Sequence, residues 1–328
     1  MQKTRFHRLT TGDHVSWRKR VAPLFAVRSA GLTIILVALW LITSLASPYF
    51  LTTRNILTVL LQSSTAAVLG IGMTFVIIQG GIDISVGSSV ALTSMVVGIL
   101  LTRTGVGFGV SCLGGLMVGF VIALINGWLI SKFSLQPMVV TLGTMGIARG
   151  LTFVSTAGRP IFVRDATLLR IGGGKLGVVP IPVLVALACF VAGYLILHYT
   201  EFGRYVFAIG GNPEAARLSG VDVARVRITV YAICGLCASI VGILVTGLLA
   251  ASEPTIGLGM ELEAIAVVAI GGTAMSGGAG GLVGTMLGAV LIGTLKNSMN
   301  LLNVVSYYQQ VLIGSIIVIA VLVDRVKK

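Results

Sequence analysis

Apolar residues in this chain run in long stretches, and most charged residues lie in the segments between them. A helix crossing a hydrocarbon core of about 30 Å needs roughly 20 mostly apolar residues. The pattern predicts such spans at about 29–47, 56–78, 88–102, 107–131, 138–156, 179–198, 228–251, 261–275, 282–301 and 307–323. The runs do not alternate, so a membrane β-barrel is excluded. Two runs are interrupted. Gln79-Gly80-Gly81-Ile82-Asp83-Ile84-Ser85 breaks one, and Gly271-Gly272-Thr273-Ala274-Met275-Ser276-Gly277-Gly278 breaks another in the second half. Non-helical backbone survives at membrane depth only where protein or water satisfies it. Paired breaks point to a duplicated fold around a central pathway. Two ordinary tight turns between spans are the alternative.

The longest polar stretch, 199–227, contains a helix of about two turns that is legible from its capping residues. Asn212 suits the N-cap and Pro213 the first helical position, where a missing N–H costs nothing. Glu214 sits where the helix dipole favours an anion, and Gly220 is a natural stop. The segment Asn212, Pro213, Glu214, Ala215, Ala216, Arg217, Leu218, Ser219, Gly220 therefore reads as a surface presented to a partner.

Composition agrees with an all-α polytopic membrane protein of about ten helices in one bundle. The 328 residues are 56% hydrophobic and 10% charged, with a mean hydropathy of +1.03, and 43 glycines suit closely packed spans. The net charge of +13 raises the question of nucleic acid. The basic residues form no stripe: they lie in the N-terminal tail, in loops and at Arg325, Lys327 and Lys328, as the positive-inside rule expects. The expected organisation is a basic cytoplasmic tail over 1–28, a transmembrane domain over 29–323, and a cytoplasmic tail over 324–328. An even number of spans puts both termini and the 199–227 loop on the cytoplasmic side. The 157–178 loop then lies outside despite Arg159, Arg164, Arg170 and Lys175. That violation marks it as a docking surface or argues for a different span count. The apolar run from Gly31 resembles a signal peptide, but the tail before it is long for one, and an uncleaved first span is expected.

Motifs for chemistry are missing. Gly174-Lys175 is followed by Leu176, and position 169 is leucine, so there is no P-loop. Cys234-Gly-Leu-Cys237 has redox spacing without a second ligand pair and reads as small packing residues beside Cys112 and Cys189. His7, His14 and His198 are too scattered for a site. No catalytic residue, metal or cofactor is expected. Asp83 is either a proton or cation site, a substrate contact, or part of a helix cap in which Asp83 or Ser85 starts the third span; a structural cap at Asp83 is the reading adopted. Glu261 and Glu263 read as first-turn acids, and Arg149 as a cation that snorkels to the interface. Gln62, Gln79, Asn126, Asn297, Asn300, Asn303, Gln309 and Gln310 suit either a neutral polyol or bonds between helices. Gln79, Ser85, Asn126, Thr273 and Ser276 are the candidates for a substrate path.

Three stretches then carry a family resemblance: Gly80-Gly81-Ile82-Asp83-Ile84-Ser85-Val86-Gly87-Ser88, Phe202 through Gly220, and Glu261-Leu262-Glu263-Ala264-Ile265-Ala266 continuing to Gly278. Together they resemble the permease subunits of bacterial sugar ABC importers, and within them the ribose transport permeases. Ile84 stands for the usual leucine and Glu263 for the usual aspartate. The resemblance implies an inner-membrane subunit without chemistry of its own. It implies partners: an ATP-binding subunit docking on Asn212–Gly220, a periplasmic sugar-binding protein, and a second permease copy or paralogue. It leaves the sugar open among ribose, xylose, galactose, allose and others. The competing classes are an ion-coupled secondary transporter using Asp83 and a membrane enzyme using the acids near 261.

Overall fold

The computed structural model describes residues 16–326. The first half contains α1 (Ser16–Ala46), α2 (Thr53–Ile78), α3 (Val86–Thr102), α4 (Phe108–Phe133) and α5 (Pro137–Thr156). A short excursion follows: β1 (Ile161–Phe162), α6 (Ala166–Gly173), β2 (Lys175–Leu176) and β3 (Val179–Pro180). Then come α7 (Ile181–Tyr199), α8 (Glu201–Gly211), α9 (Pro213–Leu218), α10 (Val223–Leu249), β4 (Ala251–Ser252), α11 (Met260–Ile270), α12 (Leu282–Leu301) and α13 (Ser306–Val326).

Every expected span contains a helix; among the described residues six helices, α2, α4, α5, α7, α10 and α12, have the full length and hydropathy of a membrane crossing, and Gly31–Ala46, Val86–Thr102 and Tyr307–Ile319 are shorter apolar stretches. The expected span at 261–275 is corrected: α11 has 11 residues and is about 16 Å long, too short to cross alone. Apolar character persists into the glycines after Ile270, where the helix has already ended. The expected N-terminal tail is helical from Ser16 onward, while residues 1–15 and 327–328 lie outside the described residues.

Among the long helices α2 and α10 are the most buried, and α4, α5 and α7 expose most of their surface. α10 is central, packing against α2, α3, α4 and α6. Where α4 crosses α10, Gly119 faces Gly235, and a Cβ on either would overlap the backbone of the other. Close approach of this kind replaces the hydrophobic drive that lipid cannot supply. Hydroxyl and amide pairs tie the remaining crossings. Thr74 and Thr285 meet at 2.7 Å, Thr246 donates to Ser94 at 2.7 Å, and Asn55 and Asn297 exchange amide bonds of 2.9 and 2.8 Å. Lys296 on α12 pairs with Glu263 on α11 at 2.6 Å, both mostly buried.

The bundle has two differently built ends. At one, β1 pairs antiparallel with β4, Ile161 opposite Ser252. There α6, capped by Asp165 accepting from the Leu168 N–H, packs on α10 where Gly172 meets Gly247. The 157–178 loop is thus folded onto the bundle, with Arg159, Arg164, Arg170 and Lys175 exposed. From β4 the chain reaches the opposite end in three pieces: the non-helical 253–259, α11, and the loop 271–281. The first piece runs back along α3. The Ser252 hydroxyl donates to Ser94 O at 2.6 Å, and Gly257 lies against Gly87, a separation of about 10 Å along that helix. Arg149 holds this piece. Its Nη1 donates to Pro254 O at 2.6 Å and Ile256 O at 2.7 Å. The snorkelling expected of Arg149 is therefore corrected: two carbonyls with no helical partner recruit the cation.

Two predictions follow from the packing. Gly119→Leu should overfill the α4–α10 crossing, at a cost of about 1–3 kcal/mol or more, whereas Gly143→Ala, with nothing within 4 Å, should be tolerated. Thermal unfolding of the purified chain in detergent separates them, and equal stability would refute the close-packing account. Arg149→Leu should strip two carbonyls of their donor, at about 1–3 kcal/mol each, and Arg149→Lys should recover only part. Amide hydrogen exchange should show 253–259 losing protection first; unchanged exchange there would refute the assigned tie.

Candidate functional site

The polar stretch between α7 and α10 is two helices, where the sequence showed one. α8 buries Gly203, Val206 and Ile209 and is capped by Thr200, whose hydroxyl accepts from the Gly203 N–H at 3.2 Å. α9 forms as its residues dictate. Asn212 Oδ1 accepts from the Ala215 N–H at 3.0 Å, Pro213 occupies the first turn, and Glu214 pairs with Arg217 at 2.8 Å. The helix closes in a Schellman motif: Gly220 N–H to Arg217 O at 3.0 Å and Val221 N–H to Ala216 O at 3.1 Å, with Gly220 at φ +86°. Ala216 is buried beneath it. Glu214 and Arg217 face solvent, and so does Leu218 at 85% exposure.

This element is joined to both glycine-rich breaks. The Gly278 N–H donates to Ile78 O at 2.8 Å. Gly210, near the end of α8, lies so close to Ile78 O and Gly278 N that a Cβ would overlap both. Gly277, at φ +85°, packs on Gly80 and on Gly210 O. Three segments distant in sequence, 78–81, 210–211 and 277–278, therefore meet backbone to backbone, with no side chain between them.

The residues of the first break are ordered by a buried acid. Asp83 Oδ1 accepts from the Ser85 N–H at 2.9 Å and from the Ser85 hydroxyl at 2.6 Å. Asp83 is thus corrected as a cap on α3. The N-cap position belongs to Ser85, which makes no side-chain cap bond, and Asp83 braces the turn two residues ahead of it. Asn126 on α4 donates to the Ser85 hydroxyl at 3.0 Å, and Thr141 on α5 donates to Ile82 O at 3.3 Å. Of the five path candidates, Ser85 and Asn126 are brought together and Gln79 lies on the same break. Thr273 is buried in the second loop, and Ser276 is exposed on it. Gln79 Oε1, Asn126 Oδ1 and Thr273 Oγ1 are buried without a hydrogen-bond partner. The sequence reading missed Tyr231, whose hydroxyl is also buried and unpartnered beside Gly81. It lies in an unbroken apolar run, so nothing local marks it. Lys296 was missed too, although a lysine inside an apolar span is a signal in itself.

A family model described as branched-chain amino acid transport system / permease component matches residues 55–321. The ribose import permease protein RbsC of Escherichia coli K12 is 40% identical over 326 residues, 97% of this chain and 100% of that protein. RbsC of Bacillus subtilis is 42% identical over 294 residues, 89% of this chain and 91% of that protein. The D-allose transport system permease protein AlsC of Escherichia coli K12 is 37% identical over 282 residues, 86% of each chain. No solved structure matches. The family model covers most of the bundle, including both breaks and the α8–α9 element, and the chain belongs to this family of membrane transport permease components.

Proposed function

We propose that this chain is the permease of an ATP-driven monosaccharide importer in a bacterial inner membrane. It works with a second permease copy or paralogue, an ATP-binding subunit and a periplasmic sugar-binding protein. The observation that carries the reading is the junction of α8 with both breaks. A partner that moves α9 moves the ends of α2 and of the 271–281 loop with it, because their contacts are backbone to backbone. The relatives named for ribose and allose supply the substrate class. The α8–α9 end is cytoplasmic in this reading, and the β1–β4 end faces the periplasmic protein. Nine helices (α1 to α5, α7, α10, α12 and α13) cross, and the tenth crossing is the composite of 253–259, α11 and 271–281. Both termini are then cytoplasmic. The two breaks correspond in position in the two halves, which favours an internal duplication. The sugar path runs past Gln79, Ser85, Asn126, Thr273 and Ser276, and ATP hydrolysis belongs to the partner. Uptake of labelled ribose and allose by reconstituted complex, dependent on ATP and on the binding protein, tests the whole reading.

Glu214→Lys reverses the charge at the start of α9 and breaks its pair with Arg217, and Gly220→Pro destroys the closing motif. Each should lower ATP-driven uptake at least tenfold while leaving the permease at its normal level in the membrane. Uptake that survives both variants would dismiss α9 as the coupling element.

Asp83 is structural in this reading and carries no proton with the sugar. Asp83→Asn keeps an acceptor for Ser85 and should retain most uptake, whereas Asp83→Leu should lose both assembly and uptake. Proton flux measured beside sugar flux decides it: one proton per sugar, abolished in Asp83→Asn, would favour the ion-coupled alternative.

A further inference from the structure

A cavity of about 270 Å³ opens at the α8–α9 end of the bundle. It is lined by Gln79, Gly80 and Gly81 of the first break, by Ser134 and Gln136 of the α4–α5 turn, and by Arg227 and Tyr231 of α10. Two of these polar side chains are nearly sealed from solvent, Gln79 at 4% and Tyr231 at 0% exposure. Neither Gln79 Oε1 nor the Tyr231 hydroxyl has a hydrogen-bond partner. A buried polar atom left unsatisfied is costly, and both residues line the cavity, so a ligand that both donates and accepts suits this wall once the two side chains turn toward it.

We infer that this cavity is a weak monosaccharide station on the cytoplasmic side of the path, read out by Gln79, Tyr231 and Arg227. The inference rests on the importer reading and locates a site within it. Its size fits: it falls just below the roughly 300–1,000 Å³ of pockets that take drug-sized ligands. Its chemistry fits a neutral polyol. A hydroxyl donates to Gln79 Oε1 and accepts from Arg227, and the Tyr231 hydroxyl serves in either sense. No acidic side chain lines the cavity, which disfavours a cation. Arg227, one turn before Tyr231 on α10, is only half-buried, so its charge stays hydrated and holds a ligand loosely. Weak holding suits a station that must release its sugar. The place is also mechanically apt. Gly80 touches Gly277, and Gly277 packs on Gly210, so a shift of α8 displaces the wall that carries Gln79.

The labelling uses the reconstituted complex in inside-out vesicles, which expose the cytoplasmic face, and uptake is measured in right-side-out vesicles with ATP enclosed. Ser134→Cys is introduced into a chain carrying Cys112→Ala and Cys189→Ala, with the buried Cys234 and Cys237 left in place. A small methanethiosulfonate reagent labels the new thiol in the presence of ribose, of allose, or of trehalose as a larger control. Ribose or allose at millimolar concentration should slow labelling several-fold and trehalose should not. Tyr231→Phe, which keeps the ring and removes only the hydroxyl, should abolish that protection and lower uptake several-fold. Gln79→Leu should do the same. Absence of protection in a complex that takes up sugar overturns the station and leaves the importer reading standing. Protection that persists in both variants overturns the residues assigned to it. A complex that takes up neither sugar, with ATP and binding protein supplied, overturns both readings.

Discussion

A backbone N–H or C=O left unpaired in a lipid bilayer costs several kcal/mol, and the bilayer offers nothing to pair it with. Three non-helical segments of this bundle, 79–85, 253–259 and 271–281, lie packed among its helices, and the protein supplies those partners. Each is supplied differently. Asp83 and Thr141 satisfy the first. The Arg149 fork satisfies the second. The third is pinned by its own turn, Ala274 N–H to Ala279 O, and by the bond from Gly278 to Ile78. The glycines follow from the same constraint, since a backbone can serve as partner to another only where no Cβ stands between them. Gly210 and Gly278 are therefore not interchangeable with alanine, whereas Gly143 and Gly146, with open space around them, are under no such demand.

This arrangement has a mechanical consequence. Segments tied by single backbone contacts have few ways to deform and can only move together, as packed elements do in hinge and shear transitions. α8 and α9 stand at the end of such a chain of contacts. Caps at both ends of α9 and the buried face of α8 make them stiff. In the proposed coupling, a force on the exposed Glu214, Arg217 and Leu218 face reaches Ile78 and Gly278 through the backbone contacts of Gly210, and passes through no long flexible side chain.

Much of this was legible in the sequence, and the reasons for the misses are physical. Spans were legible because apolar runs of 20 residues have one meaning in a membrane; α12 was placed to the residue and α7 to within two. α9 was legible because caps are local: Asn212, Pro213 and Gly220 declare its ends without help from the fold. α8 was overlooked although Phe202, Val206 and Ile209 recur at helical spacing, because its polar residues drew the whole stretch into a loop. The 253–259 segment fell between the expected spans 228–251 and 261–275, as Pro254, Gly257 and Gly259 argue, but nothing local showed that it runs back along α3. The partners of Arg149 and the position of Tyr231 were not legible. Each depends on contacts between residues about a hundred or more apart, and a hydropathy pattern reports that a residue is buried without saying against what.

In the proposed transport cycle the cavity and the junction divide the work between weak and strong contacts. The junction uses short backbone bonds and excluded volume, which hold at every stage of a cycle. The cavity offers a few neutral hydrogen bonds and one hydrated cation, which can be made and given up. Reversing that division would defeat transport. A junction of long side chains would absorb motion instead of passing it on, and a path of buried charges would bind the solute too tightly to release it. The acids that the bundle does bury agree with this. Asp83 is consumed by Ser85 and Glu263 by Lys296. Each charge is committed to holding the scaffold in shape, so the proposed path is left with mainly amides, hydroxyls and one half-buried guanidinium.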